Sequence, residues 1–403
     1  MATPREELAL RRESLGYTQE TFAHEMGVEL STVGRWERGE LTPLPGRRRR
    51  LAEALEVSLV ELDGLLNPPL GGGQNVLVRQ PDAALSRQRY SAAAKVTQQV
   101  RNVAEASVLV SGVHHAYQAA RYTEVARMLP SVSDALVALK HERPSNIQTD
   151  LLSLQCSLAV VEAKLATKVG DADVAWTAAQ RAHDFAEQAD DEFALAAAAY
   201  QTTCALLRTE NSSAPDTKRS PDAEQVAVTA AEAIKGDDPQ SWTWRGALNL
   251  IGAVIAARRG DLVEADRRLA VADDLASRLG QDGNIGWTAF GPTNVSIHRL
   301  SVAITAGDTY RALSVAERID VTAMPEGLHG RQAQFHLDSA WAHAQLGEDP
   351  QAVIHLLDTE RVAPELIQAN GSARLLIQDL LTRERRRAVP GLRGLALRAG
   401  VAA

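Results

Sequence analysis

Four times between residues 170 and 352 this chain repeats one piece of punctuation, which commits most of its length to paired helices. It reads V-G-D-A-D at Gly170, R-G-D-L-V-E-A at Gly260, A-G-D-T-Y-R-A at Gly307 and L-G-E-D-P-Q-A at Gly347. Each glycine closes one helix, and the acidic residue after it serves the N-terminus of the next. Five residues beyond each glycine stands an alanine, at Ala175, Ala265, Ala312 and Ala352, small enough for two helices to cross closely. The glycines are 90, 47 and 40 residues apart, so the first gap holds two hairpins. Six hairpins are predicted, at about 98–140, 147–188, 192–234, 240–279, 291–319 and 328–361, with closing helices near 372–388 and 390–399. Such hairpins stack into an all-α solenoid with a concave face lined by first helices.

The N-terminal part is built differently. Thr18 to Gly39 reads T-Q-E-T-F-A-H-E-M-G-V-E-L-S-T-V-G-R-W-E-R-G, two short helices around a tight turn. Thr18 caps the first, with Phe22, Ala23 and Met26 on one face. Gly27 stands where the chain must reverse with positive φ. Val33 and Trp36 form the apolar stripe of the second. The spacing is that of a DNA-reading helix-turn-helix. After it, N-P-P-L-G-G-G-Q-N (Asn67 to Asn75) has a linker composition, and V-L-V-R-Q-P-D (Val76 to Asp82) is too short to make a sheet. The predicted division is a head at 1–68, a flexible linker at 69–89 and a repeat region at 90–403.

Residues 4–66 resemble the Cro/CI/XRE class of DNA-binding domains, from R-R-E-S-L-G (Arg11 to Gly16) to L-A-E-A-L-E-V-S-L-V-E-L (Leu51 to Leu62). The resemblance implies a five-helix, lambda-repressor-like head with the second motif helix in the major groove. It places Leu30, Ser31 and Arg35 toward base edges, and Gln19 and Thr32 near phosphates. Arg35 is the strongest candidate for reading sequence, since a guanidinium bonds guanine O6 and N7 together. Glu29 stands where that class usually has Ser or Thr. The repeat region resembles degenerate tetratricopeptide repeats, although its spacing exceeds their period of roughly 34 residues. Joined heads and repeats of this kind are similar to actinobacterial regulators of development or secondary metabolism, including F-G-P-T-N-V-S-I-H (Phe290 to His298) and D-L-L-T-R-E-R-R-R (Asp379 to Arg387). They also resemble the peptide-pheromone receptors of Gram-positive bacteria. The resemblance implies a homodimer on an inverted-repeat operator in double-stranded DNA, with a peptide or small-molecule effector on the repeats. A repeat region that binds a protein partner instead, as a regulator or a scaffold, is the alternative.

Charge favours DNA only locally. The chain carries a net charge of −8, yet residues 31–50 hold six arginines against Glu37 and Glu40. Arg35, Arg38, Arg47 and Arg48 are the candidates for DNA contact. For the Arg47–Arg50 run, the competing reading is a solvated helix start. Arg383, Arg385, Arg386 and Arg387 read as the polar outer face that a terminal repeat needs.

A ligand is expected on the concave face. Arg245 and Asn249 lie on one first helix, Asn294 and His298 on the next, and Gln332 and His336 on the one after. Carboxamides there clamp a peptide backbone by donating and accepting together. Trp242, Trp244 and Trp287 stand near the same end, as pocket wall or as core.

Other candidate chemistry is weaker. His329, His336 and His343 recur every seven residues, too far apart along a helix to share an ion, so neither a metal nor a cofactor is expected. His114 and His115 are adjacent and point apart. Cys156 and Cys204 read as buried thiols of a reducing cytoplasm. No Walker, G-x-S-x-G or H-E-x-x-H motif occurs, so an enzyme is not expected. Nothing resembles a membrane span or a signal peptide. The loop from Glu210 to Asp222 is predicted to be exposed.

Overall fold

The computed structural model describes residues 5–43, 45–66, 100–142, 148–209, 223–384 and 389–401. The predicted linker, the loop from Glu210 to Asp222, and Arg385, Arg386 and Arg387 lie outside the described residues.

The head has five helices: α1 (Glu6–Ser14), α2 (Gln19–Met26), α3 (Leu30–Glu37), α4 (Pro45–Ala54) and α5 (Leu59–Leu66). Thr18 caps α2 by accepting from the Thr21 N–H, and the Thr21 hydroxyl accepts from Thr18 in return. Gly27 ends α2 at φ 60°. Phe22, Ala23, Met26, Val33 and Trp36 are all buried, packed with Leu8, Leu51, Leu55, Leu62 and Leu66. Buried Arg5 joins the pieces, donating to the carbonyls of Leu66 (2.6 Å), Trp36 (3.1 Å) and Leu41 (2.7 Å).

The repeats are α6 (Val103–Gln118), α7 (Tyr122–Glu142), α8 (Gln148–Val169), α9 (Ala172–Ala189), α10 (Glu192–Thr209), α11 (Ala223–Ala233), α12 (Pro239–Arg259), α13 (Leu262–Leu279), α14 (Pro292–Ala306), α15 (Thr309–Ala316), α16 (His329–Leu346) and α17 (Asp349–Val362). Three short helices close the chain: α18 (Pro364–Ala369), α19 (Gly371–Arg383) and α20 (Leu392–Arg398). The sequence suggested only the last two. The punctuation works as its chemistry requires. Gly170, Gly260, Gly307 and Gly347 all take positive φ, and Ala175, Ala265, Ala312 and Ala352 are fully buried. Asp171, Asp261 and Asp308 each accept from the backbone N–H three residues on. Glu348 makes no such cap and instead accepts from His343 Nδ1 at 2.7 Å.

The solenoid returns on itself. Val113, Tyr122 and Val125 of the first hairpin share a core with Ala333, Ala363 and Leu366 from the other end. Thr123 donates from its N–H to Glu365 at 2.7 Å. Gln118 and Asn284 exchange two amide hydrogen bonds, at 2.7 and 2.8 Å.

The segment between α13 and α14 crosses the concave face. Trp287 stacks on His114 with ring centres 4.7 Å apart and meets His115 edge-on at 4.8 Å, while its carbonyl accepts from Lys164 Nζ at 3.2 Å. It thereby touches α6 and α8. Gly286, beside it, lies against the Trp244 ring of α12. Trp287 and Ala289 both sit at positive φ, 59° and 55°. That conformation disfavours side chains by roughly 1–2 kcal/mol per residue, so tertiary packing holds this crossing in place. His114 and His115, adjacent in sequence, both meet Trp287.

Candidate functional site

The motif helix α3 shows a divided surface. Leu30 and Ser31 at its start are exposed and Thr32 is half-buried, whereas Val33 and Trp36 face the core. Glu29 makes no cap hydrogen bond, and its carboxylate accepts from Ser31 Oγ at 3.4 Å. The first turn of α3 therefore presents side chains outward on a rigid base, as groove reading needs.

Several expected DNA contacts are engaged inside the protein. Gln19 Nε2 donates to Glu37 at 2.6 Å, and Glu37 also takes Arg12 Nε at 2.5 Å. Arg38 is exposed and chelates Glu40 at 3.0 and 3.1 Å. Arg47 turns inward rather than to a phosphate. Its Nε donates to the Thr305 carbonyl at 2.8 Å and its Nη2 to the Ala306 carbonyl, at the C-terminal end of α14. Its Nη1 reaches the Met26 and Gly27 carbonyls at the end of α2, at 3.0 and 3.3 Å. Burial, with Arg50 beside it, pushes the Arg47 guanidinium down to about 10. Arg48 is half-buried too, and burial with Arg5 nearby lowers it to about 10. The reason is geometric: α4 lies over the hairpin turns of the repeats. Arg50 crowds Gly260 and Arg47 crowds Gly307, so a Cβ at either glycine would strike a guanidinium.

A second tie joins head and repeats at Thr42, whose Oγ1 donates to Asp379 Oδ1 at 2.6 Å. Asp379 pairs with Arg383 at 3.0 Å, and Arg383 reaches Asp349 at 3.2 Å. Arg383 is thus a half-buried junction and not the outer-face residue its sequence position suggests. It also lies near Arg35 of α3. Burial first, then repulsion from Arg383, lowers the Arg35 guanidinium from its ordinary value.

The expected ligand residues do not form one wall. Asn294 and His298 are buried in packing, and His298 Nδ1 lies 2.9 Å from the Asn294 carbonyl one turn back. Burial and Arg331 push His298 down to about 3, so it stays neutral. Asn249 Nδ2 donates to the Arg245 carbonyl of its own helix at 2.8 Å, and Arg245 is half-buried. Trp242 lies apart. It donates to Asp237 at 2.8 Å under the Arg278 guanidinium, 4.2 Å from its ring centre, and lines a shallow open pocket with Leu279, Gln281 and Phe290. Gln332 Nε2 donates to the Val321 carbonyl at 3.4 Å, and His336 turns to His355 on α17. The carboxamides of Asn249 and Gln332 each bond a nearby backbone carbonyl, and Asn294 Oδ1 is buried without a hydrogen bond among the described residues.

The concave face is instead marked by cations that sequence reasoning passed over. Lys164 is lowered to about 8, by burial first and then by Arg331. Arg331 has no carboxylate within ion-pair distance among the described residues, yet its charge acts on Tyr117, Tyr200, His298 and Asp338 together. Burial raises the phenols of Tyr117 and Tyr200. It also pushes the Asp338 carboxyl up to about 6, against hydrogen bonds from Ser301 and Gln334. The signal available was only that Lys164 and Arg331 fall on first helices.

Comparison with known proteins bears on the head. A helix-turn-helix family model matches residues 8–62. The cryptic phage CTXphi transcriptional repressor RstR of Vibrio cholerae serotype O1 is 37% identical over 60 residues, 15% of this chain and 54% of that repressor. The chain therefore spans about half the length of that curated relative. Among solved structures, the crystal structure of Rap protein complexed with competence and sporulation factor aligns over 98% of this chain and 100% of that one, at 10% identity and a TM-score of 0.45. Among the described residues no helix is long and apolar enough to cross a membrane.

Proposed function

We propose that this protein is a sequence-specific, DNA-binding transcriptional regulator, acting as a homodimer on an inverted-repeat operator in the cytoplasm, and not an enzyme. The observation that carries this is the divided surface of α3, with Leu30 and Ser31 turned out from a buried Val33 and Trp36. The family match over residues 8–62 and the repressor relative support the same reading. Pairing supplies the area and the half-site spacing that one small head lacks.

In this reading the repeats sense an anionic peptide or small molecule at Lys164 and Arg331, and the segment carrying Trp287 yields to it. The head is coupled to that event because Arg47 and Thr42 tie it to α14 and α19. An effector that binds only one arrangement shifts the equilibrium between head positions by its differential affinity.

The test is genome-wide occupancy by the tagged protein beside an Arg35→Ala variant. Discrete palindromic sites lost in the variant are expected, since one bidentate base contact is worth about 1–3 kcal/mol. Sites kept unchanged by the variant would refute the recognition-helix assignment.

A second reading, repeats that bind a protein partner, is favoured by Val263 and Tyr310. Each stands three residues past a hairpin glycine on adjacent hairpins, and they are 83% and 75% exposed. Partner capture that is lost in a Val263→Asp, Tyr310→Asp double variant would support it.

A further inference from the structure

We propose that His336, His355 and Asp358 form a binding site for a divalent transition-metal ion of the zinc class, between α16 and α17. The two imidazoles come from different helices of one hairpin, and their Nδ1 atoms stand 3.3 Å apart. Asp358 lies three residues past His355. One of its carboxylate oxygens and one nitrogen of each ring fall within 4.8 Å of one another.

Two imidazole nitrogens this close have either the N–H of one ring or a cation between them. A separation of 3.3 Å is long for an N–H hydrogen bond. It matches the edge of a tetrahedron around zinc, where ligands about 2.0–2.1 Å from the ion stand about 3.3 Å from each other. Two imidazoles and a carboxylate suit Zn²⁺, Co²⁺ or Ni²⁺ better than Mg²⁺ or Ca²⁺, which take oxygen ligands. All three residues are half-buried, which leaves the ion a route in and room for water at a fourth position.

The surroundings hold the rings. His343 stacks on His355 with centres 5.3 Å apart, and its own Nδ1 is bonded to Glu348. Phe335 presents an edge contact to both His336 and His355, at 5.1 and 6.4 Å. One group competes. Arg361 Nη2 lies 3.1 Å from Asp358 Oδ1, and this exposed guanidinium must share the carboxylate or swing away. The spacing argument that excluded a metal considered histidines along α16 alone, and so could not see a ligand arriving from α17. The inference stands apart from the DNA-binding reading.

The test is a titration of the full-length, chelator-treated protein with Co²⁺ alone at about pH 7.5, where imidazoles are free to ligate, following visible absorption and metal content. One Co²⁺ per chain is expected, with the absorption of a four- or five-coordinate ion, and Zn²⁺ should displace it. His355→Ala should weaken binding by more than the roughly 10- to 100-fold that outer-shell changes cost. His183→Ala, at a half-buried histidine on α9 beside Glu187, should change nothing. If His355→Ala does not fold, Asp358→Asn keeps the shape and carries the comparison. Failure of the wild type to bind Co²⁺ stoichiometrically would overturn the site. So would an unchanged spectrum in His336→Ala and Asp358→Asn.

Discussion

Replacing Arg47 with alanine separates two accounts of the same residue. Its sequence, in a run of four arginines beside a helix-turn-helix, favours phosphate contact. Its structure ties it to four backbone carbonyls, two of them, Thr305 and Ala306, on the repeats. Hydrogen bonds from a charged donor are worth about 1.5–3 kcal/mol each. The low end applies here, because carbonyls freed by undocking regain water. Two such bonds then amount to about 3 kcal/mol, roughly a 100-fold fall in the ratio of docked to undocked head. Hydrogen exchange should quicken at the end of α14, along α4 and at the end of α2, with α1 unchanged. The decisive assay is affinity for an operator duplex across a salt series. An inward Arg47 leaves the slope of log affinity against log salt unchanged. A phosphate contact would lower it by about 0.9, with a uniform loss of affinity. That second result, with hydrogen exchange unaltered, would refute the docked arrangement.

Two further substitutions probe the repeats. The folded pKa of Asp338, about 6, lies above its ordinary 3.8, so its stabilising contribution is complete below about pH 4 and lost as pH rises through 6. Asp338→Asn should therefore raise stability at about pH 8 by about 1–3 kcal/mol and have less effect near pH 5, in denaturant melts at both. A difference independent of pH would contradict the burial argument. Gly246→Ala should destabilise the α12–α14 region by about 1–3 kcal/mol or more, because its Cβ would enter the Phe290 ring. A thermal midpoint equal to wild type would show that the ring has room to move.

The features legible in the sequence were those that neighbouring residues determine. Gly170, Gly260, Gly307 and Gly347 each need left-handed backbone, the aspartates cap the next helix, and alanine sits where the pair crosses. All of this lies within five residues. The head was legible for the same reason, since Thr18, Gly27, Val33 and Trp36 act over one motif. The expected ligand residues do not form one wall because a carboxamide has local alternatives, as Asn249 shows by bonding its own helix. Ring closure through Glu365 and Thr123 spans 242 residues and leaves no periodic trace. The inward course of Arg47 was not legible because its partners are carbonyls, which every residue carries and no sequence pattern marks. Arg383 was misjudged because its partners, Asp349 and Asp379, meet only after α16 to α19 have packed.

That last property of Arg47 has an evolutionary consequence. Its acceptors on the repeats are main chain, so side chains at the end of α14 can drift without being noticed by the head. Helix length cannot. One residue inserted in α14 ahead of Ser301 would turn its final carbonyls by about 100° relative to the rest of the helix, carrying them away from the guanidinium. In relatives that keep this docking, the side chains at Thr305 and Ala306 should vary, Gly307 should persist beneath the guanidinium, and single-residue insertions or deletions between Pro292 and Ala306 should be rare.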